Sequence, residues 1–125
     1  MVNVRLERTT LGELIDGPHR SCVMKLRISD ASAFADMMDE ALAGTRWARR
    51  AAAIVAVAAD DRPIGLCLTY LAGRPAEAGF YVDPHHRRRG VGRLLACAAR
   101  REIGVLSVDP WCEDAHRFFR TVGLL

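Results

Sequence analysis

The stretch Val82-Asp83-Pro84-His85-His86-Arg87-Arg88-Arg89-Gly90-Val91-Gly92-Arg93-Leu94-Leu95 joins two apolar patterns of different period. Ahead of it, Glu77-Ala78-Gly79-Phe80-Tyr81-Val82 reads as a strand that Asp83-Pro84 stops, because proline has no backbone N–H for a ladder. Behind it, Val91, Leu94, Leu95 and Ala98 recur at helical spacing. A helix N-terminus presents N–H groups without intrahelical acceptors and a partial positive charge, which suits phosphate where glycine lets the backbone come close. Gly90 and Gly92 supply that approach, and no Ser, Thr, Asp or Asn directly precedes the helix to cap it. Arg87, Arg88 and Arg89 add forked donors matched to phosphate oxygens. An arginine run alone would read as solvated surface. The strand, the proline stop, the spaced glycines and the amphipathic helix together favour a pyrophosphate cradle. It is neither a dinucleotide fingerprint nor a nucleoside triphosphate loop, since no third glycine stands in register and no Gly-Lys-Ser/Thr follows.

Working outward, Ile54-Val55-Ala56-Val57 and Ile64-Gly65-Leu66-Cys67-Leu68-Thr69-Tyr70 flank Asp60-Asp61-Arg62-Pro63, the composition of a hairpin. Phe34, Met37, Met38, Ala41 and Leu42 mark a helix that Gly44 stops. Cys22, Met24, Leu26 and Ile28 alternate with polar or smaller residues and predict a strand over 22–28. For residues 1–20 the alternation of Val2, Val4 and Leu6 gives an extra strand. Leu11, Leu14 and Ile15 would share a helical face before Asp16-Gly17-Pro18, and the segment is assigned a short turn. After the cradle come a strand over 105–108 and a helix marked by Ala115, Phe118, Phe119 and Val122. The expected class is α/β (α+β): a mixed, mostly antiparallel sheet flanked by helices, in one domain over 1–125.

Composition narrows the function. Eighteen Lys and Arg against fifteen Asp and Glu leave a charge of +3, mild enough for an anionic small ligand. With 6% aromatic residues there is little to stack bases on, so nucleic acid is not the expected partner. Cys22, Cys67, Cys97 and Cys112 form no C-x-x-C pair and read as reduced thiols. His85-His86 lacks a matching acidic or cysteine cluster, so no metal site is expected. Residues 51–59 are too short a run to span a bilayer, and the charged N-terminus is unlike a secretory signal. The expected location is cytoplasmic.

Arg87-Arg88-Arg89-Gly90-Val91-Gly92, in the R-x-x-G-x-G pattern after Tyr81-Val82-Asp83-Pro84, resembles the acetyl-CoA signature of the GCN5-related N-acetyltransferases. The similarity extends over residues 23–125 and is strongest over 77–95. The resemblance implies the acyl-CoA N-acyltransferase fold, acetyl-CoA as donor, coenzyme A as product and a primary amine, small molecule or peptide, as acceptor. It implies that backbone amides of Arg88, Arg89, Gly90, Val91 and Gly92, with Arg87 nearby, cradle the pyrophosphate. The main chain of Phe80, Tyr81 and Val82 would pair with the pantetheine arm, and the sheet would splay beyond Val82. Transfer would be direct, with no covalent enzyme intermediate.

The resemblance makes Glu77 the first choice of general base. The family commonly carries a tyrosine in a late Phe-Tyr pair, where this chain has Phe118-Phe119. Tyr81, Cys112, His116 or water would then protonate the thiolate. Cys112 also stands near where the family's asparagine commonly contacts the cofactor. Trp47 with Arg46, Arg49 and Arg50 reads as a loop wall near substrate, and Met37-Met38 as core. Family members usually continue for one or two strands past the position of Leu125. The sheet edge left open would be covered by the N-terminal strand over residues 2–7 or by the partner of a homodimer. The rival reading is a non-catalytic acyl-CoA-binding or assembly protein on the same fold.

Overall fold

Ala52-Ala53-Ile54-Val55-Ala56-Val57-Ala58 is apolar at every position, which a strand sustains only when both its faces are covered. A computed structural model, describing residues 3–29, 33–70, 76–104, 106–108 and 113–125, shows how that cover is made. Five strands, β1 (Val4–Thr10), β2 (Ala52–Ala58), β3 (Pro63–Tyr70), β4 (Ala76–Val82) and β5 (Leu106–Ser107), lie in the order β1-β2-β3-β4-β5. The first four are antiparallel, and β5 runs parallel to β4. One face packs on α1 (Leu11–Asp16), α2 (Arg20–Ser29), α3 (Ala33–Leu42) and α4 (Arg46–Arg49), around Leu11, Val23, Met37, Met38, Val55, Val57, Leu66 and Leu68. The other packs on α5 (Val91–Ile103), where Val91, Leu95, Ala98 and Ala99 meet Ile54, Ala56 and Cys67. Helix α6 (Glu113–Thr121) joins this second face through the rings of Phe118 and Phe119 against Phe80.

The hairpin, the helix over Met37 and Met38, and the strand–loop–helix around residues 82–95 form as the spacing predicts. Three expectations are corrected. Residues 22–28 are helical: Cys22 and Val23 are both buried, while Lys25 is exposed, a helical face rather than an alternation. The segment is rich in residues that lose little rotamer freedom in a helix, and β1 already pairs along the whole of β2, from Val4 with Ala58 to Thr10 with Ala52. Residues 11–16 are a helix rather than a turn, with the Thr10 side chain accepting from the Glu13 N–H and Leu11, Leu14 and Ile15 buried. Strand β1 therefore occupies the edge opposite β5, so the N-terminal strand does not cover the β5 side. None of the described helices is long and apolar enough to cross a membrane.

Candidate active site

Strand β4 pairs with β3 from Glu77–Tyr70 to Val82–Gly65, but with β5 only at Ala76–Leu106 and Glu77–Ser107. From Ala78 onward its outer edge has no strand partner among the described residues. The Asp83 N–H donates to the Ile64 carbonyl on the β3 side at 2.8 Å, and Arg87 Nε donates to the Val82 carbonyl at 2.9 Å. In this ladder successive residues turn their polar groups to opposite edges, so Ala78, Phe80 and Val82 face outward and Tyr81 faces β3. The sheet thus opens after Glu77 rather than beyond Val82, because β5 is only two residues long.

At the end of this edge the chain makes a short 3-10 turn, Pro84–His86, capped by the Asp83 carboxylate, which accepts from the His85 N–H at 2.9 Å. That hydrogen bond, followed by the charges of His86, His85 and Lys25, holds the Asp83 carboxyl below the usual range. His86 is largely buried, with Nδ1 3.9 Å from Asp83 Oδ1, so it is no simple solvent-facing loop residue. Arg88 and Gly90 then take positive φ, 62° and 87°. Left-handed residues in such a turn aim successive N–H groups into one concavity. Gly90 caps α5 with no side-chain hydrogen bond, and no N–H of residues 88–93 finds an acceptor among the described residues. Arg5, Arg8, Arg49, Arg62 and Arg117 each pair with a carboxylate, whereas Arg87, Arg88, Arg89 and Arg93 pair with none among the described residues. The loop is a concentration of unspent donors and positive charge.

The two glycines differ. A Cβ on Gly90 would meet nothing within 4 Å, so its need is the positive φ. A Cβ on Gly92 would stand 2.7 Å from Cε1 and 2.9 Å from Cζ of Phe118.

By the pleat, Glu77 and Tyr81 share the face of α1 to α4, where Tyr81 packs on the buried core of that side. Phe80 points to the opposite face, its ring centroid 5.7 Å from Phe118 and 6.0 Å from Phe119. Phe119, where the family resemblance leads one to seek a tyrosine, is 6% exposed in this cluster. His116 is exposed on α6, beside a shallow groove with Glu113, Arg117 and Arg120. It does not share the face of Glu77 and Tyr81. Cys112 lies outside the described residues, as does Trp111. Trp47 is 51% exposed on α4, but Arg49 turns inward to the carbonyls of Ala41 and Gly12 and to Asp16, so it is a clasp between helices rather than a substrate wall. A groove of about 570 Å³ lined by Glu7, Thr9, Glu13 and His19 sits at β1, with β2 and β3 between it and β4. It takes no part in the open edge.

Sequence reasoning missed the left-handed Arg88, for which no residue signal exists, and the seat of Phe118 on Gly92. The second had a trace in the sequence, a glycine inside the first turn of a helix.

A family profile described as an acetyltransferase (GNAT) domain matches residues 50–123. Among curated proteins, the mycothiol acetyltransferase of Clavibacter sepedonicus is 38% identical over 63 residues, covering 50% of this chain and 21% of that protein. The chain spans about a fifth of the length of the curated relatives it matches. Among solved structures, a candidate acetyltransferase of Exiguobacterium sp. 255-15 superposes with a TM-score of 0.69 at 18% identity, covering 97% of this chain and 84% of the other. The aminoglycoside 6'-N-acetyltransferase of Acinetobacter baumannii gives 0.64 at 13% identity, covering 97% and 90%. At these identities the superpositions establish the fold, and they take in the N-terminal elements that the sequence resemblance left out.

Proposed function

Because the chain belongs to the GNAT acetyltransferase family, we propose that it binds acetyl-CoA along the outer edge of β4 and moves the acetyl group to a primary amine. The observation that carries this reading is the continuity of two unsatisfied surfaces. The open β4 edge from Ala78 to Val82, about 13 Å at the usual rise per residue, runs into the uncapped turn of α5 among unpaired arginines. Pyrophosphate takes the N–H groups of Arg88, Arg89, Gly90, Val91 and Gly92 and the charge of Arg87 to Arg89. The pantetheine amides add to the sheet as a strand would, through the outward groups of Phe80 and the Val82 N–H, the Val82 carbonyl being held by Arg87. The thioester then lies toward Glu77, where β4 and β5 converge.

In the reaction the neutral amine attacks the thioester carbonyl, whose oxygen is polarised by a β4 amide. The C–N bond forms, the C–S bond breaks and the coenzyme A thiolate leaves. Glu77 removes the proton from the attacking nitrogen, directly or through water. Tyr81 stands on the same face as Glu77 and leads the candidates for protonating the thiolate, ahead of Cys112, His116 and water. We further propose that residues 1–125 form one cytoplasmic domain that dimerises over the outer edge of β5. A single monomeric species in light scattering at high concentration would overturn the dimer.

Calorimetric titration with acetyl-CoA, against dephospho-CoA and ATP, tests the cofactor. Stoichiometric binding of acetyl-CoA is expected, and its absence sinks the reading. Glu77→Gln should then slow acetylation of peptide N-termini, lysine, polyamines or aminoglycosides by about a hundredfold with cofactor affinity unchanged. Equal losses of rate and affinity would make Glu77 structural. The buried Phe119 favours a second reading, an acyl-CoA-binding protein without turnover. Tight acetyl-CoA binding with no acetylation of any of these amines would select it.

A further inference from the structure

We propose that position 92 must be glycine because Phe118 stands on it, and that Phe118 is thereby a positioning residue for the anion-binding turn of α5. Gly92 is helical and is not among the glycines with positive φ, so conformational freedom does not explain it. In a helix, glycine is about 1 kcal/mol less favourable than alanine. A contact that excludes a methyl group can offset that loss, and Cε1 and Cζ of Phe118 lie 2.7 and 2.9 Å from where Cβ would be.

The ring is partly buried in a cluster of three. Phe80 and Phe119 stand 5.7 and 5.4 Å from it and 6.0 Å from each other, so the three rings make one triangular cluster and a shift of Phe118 disturbs both neighbours. Phe119 is itself buried, and Val122, one turn on, is 7% exposed, so the helix behind the ring is pinned. A methyl group at 92 therefore displaces the Phe118 ring, and with it the seat of α6 on the first turn of α5. That turn holds the N–H groups of Val91, Gly92 and Arg93, none of which has an acceptor among the described residues. Phe118 also leans on Phe80, whose outward backbone groups form part of the open β4 edge. One ring thus fixes the anion turn relative to that edge, the relation a ligand spanning both must find already set.

The affinity arm of the test rests on the cofactor reading above; the stability arm does not. Gly92→Ala should weaken acetyl-CoA binding about tenfold and lower Tm, as overpacking does. Phe118→Leu removes Cε1 and Cζ while keeping an apolar side chain, and, with the ring no longer setting the turn against the β4 edge, should itself weaken affinity about threefold, less than Gly92→Ala does; unchanged affinity would make Phe118 merely structural. In the double variant the leucine should restore most of the affinity and part of the Tm lost to Gly92→Ala. If the glycine serves ligand approach instead, the double variant binds no better than Gly92→Ala alone. That result, or a double variant that fails to fold alongside the single one, overturns the inference. If the unaltered protein does not bind acetyl-CoA, the cofactor reading fails, and the rise or absence of a rise in Tm still decides the contact.

Discussion

Gly90 has a φ of 87° and open space where a Cβ would stand, so alanine there meets strain without a clash. Gly90→Ala should cost about 1 kcal/mol, the usual penalty for a Cβ in the left-handed region. Urea unfolding reads the cost, and a parallel titration should show weaker acetyl-CoA binding as the turn relaxes. Asp83 offers a second test, through pH. Its carboxyl is held below the ordinary value by the His85 N–H and then by the charges of His86, His85 and Lys25. A depressed pKa contributes stability that is complete above the unfolded value, near about 3.9, and lost as pH falls through the lower folded value. Thermal melts between pH 5 and 2.5 should therefore show a steeper acid loss for the unaltered protein than for Asp83→Asn. Parallel curves would remove Asp83 from the account. At this scale the sequence displayed the glycines and arginines of the loop but not their environments. That Arg88 adopts a positive φ and that Gly92 lies under a ring depend on neighbours no local pattern encodes.

Elements pose the question of what segments pack against. Strand β4 was legible because a strand needs only its own alternation and a proline stop. The opening beside it was not, since its start after Glu77 depends on how far β5 can follow. Segment 20–29 carries an alternation and a helical face at once, and the occupancy of β2 by β1 decides for the helix. Helices α1, α3 and α4 are tied by Arg49. Its guanidinium donates to Ala41 O at 3.3 Å and Gly12 O at 3.4 Å and pairs with Asp16, while a Cβ on Gly12 would lie 3.1 Å from Arg49 Cβ. Arg49→Ala should lower stability by about 1–2 kcal/mol, as loss of partly buried charged hydrogen bonds does. Acetyl-CoA affinity should stay unchanged, because these helices lie on the face away from α5. Chemical denaturation beside calorimetry separates the two effects, and an affinity loss would put Arg49 back at the ligand.

For the whole molecule, two helical layers over one sheet determine which groups solvent reaches. Cys67 lies in the α5 layer, and burial pushes its thiol up to about 12. Cys22 lies in the α2 layer, where burial, against the nearby Lys25 and reinforced by Asp83, pushes it to about 11. Cys97 is exposed on α5. Iodoacetamide at neutral pH should therefore modify Cys97 and spare Cys22 and Cys67 until denaturant is added, as peptide mass spectrometry would show. Early labelling of Cys67 would mean that the α5 layer opens. The sequence by itself determined what short spacings carry: the hairpin, the strand–loop–helix of the cradle, its lack of a capping side chain and its concentration of arginine. Each rests on residues within a few positions of one another, where backbone sterics and periodicity act. Tertiary structure alone decided which face residues 20–29 bury, where β4 loses its neighbour, which arginines stay unpaired and why residue 92 carries no side chain. Those outcomes depend on contacts between distant segments, and only the assembled sheet with its two helical layers brings the segments together.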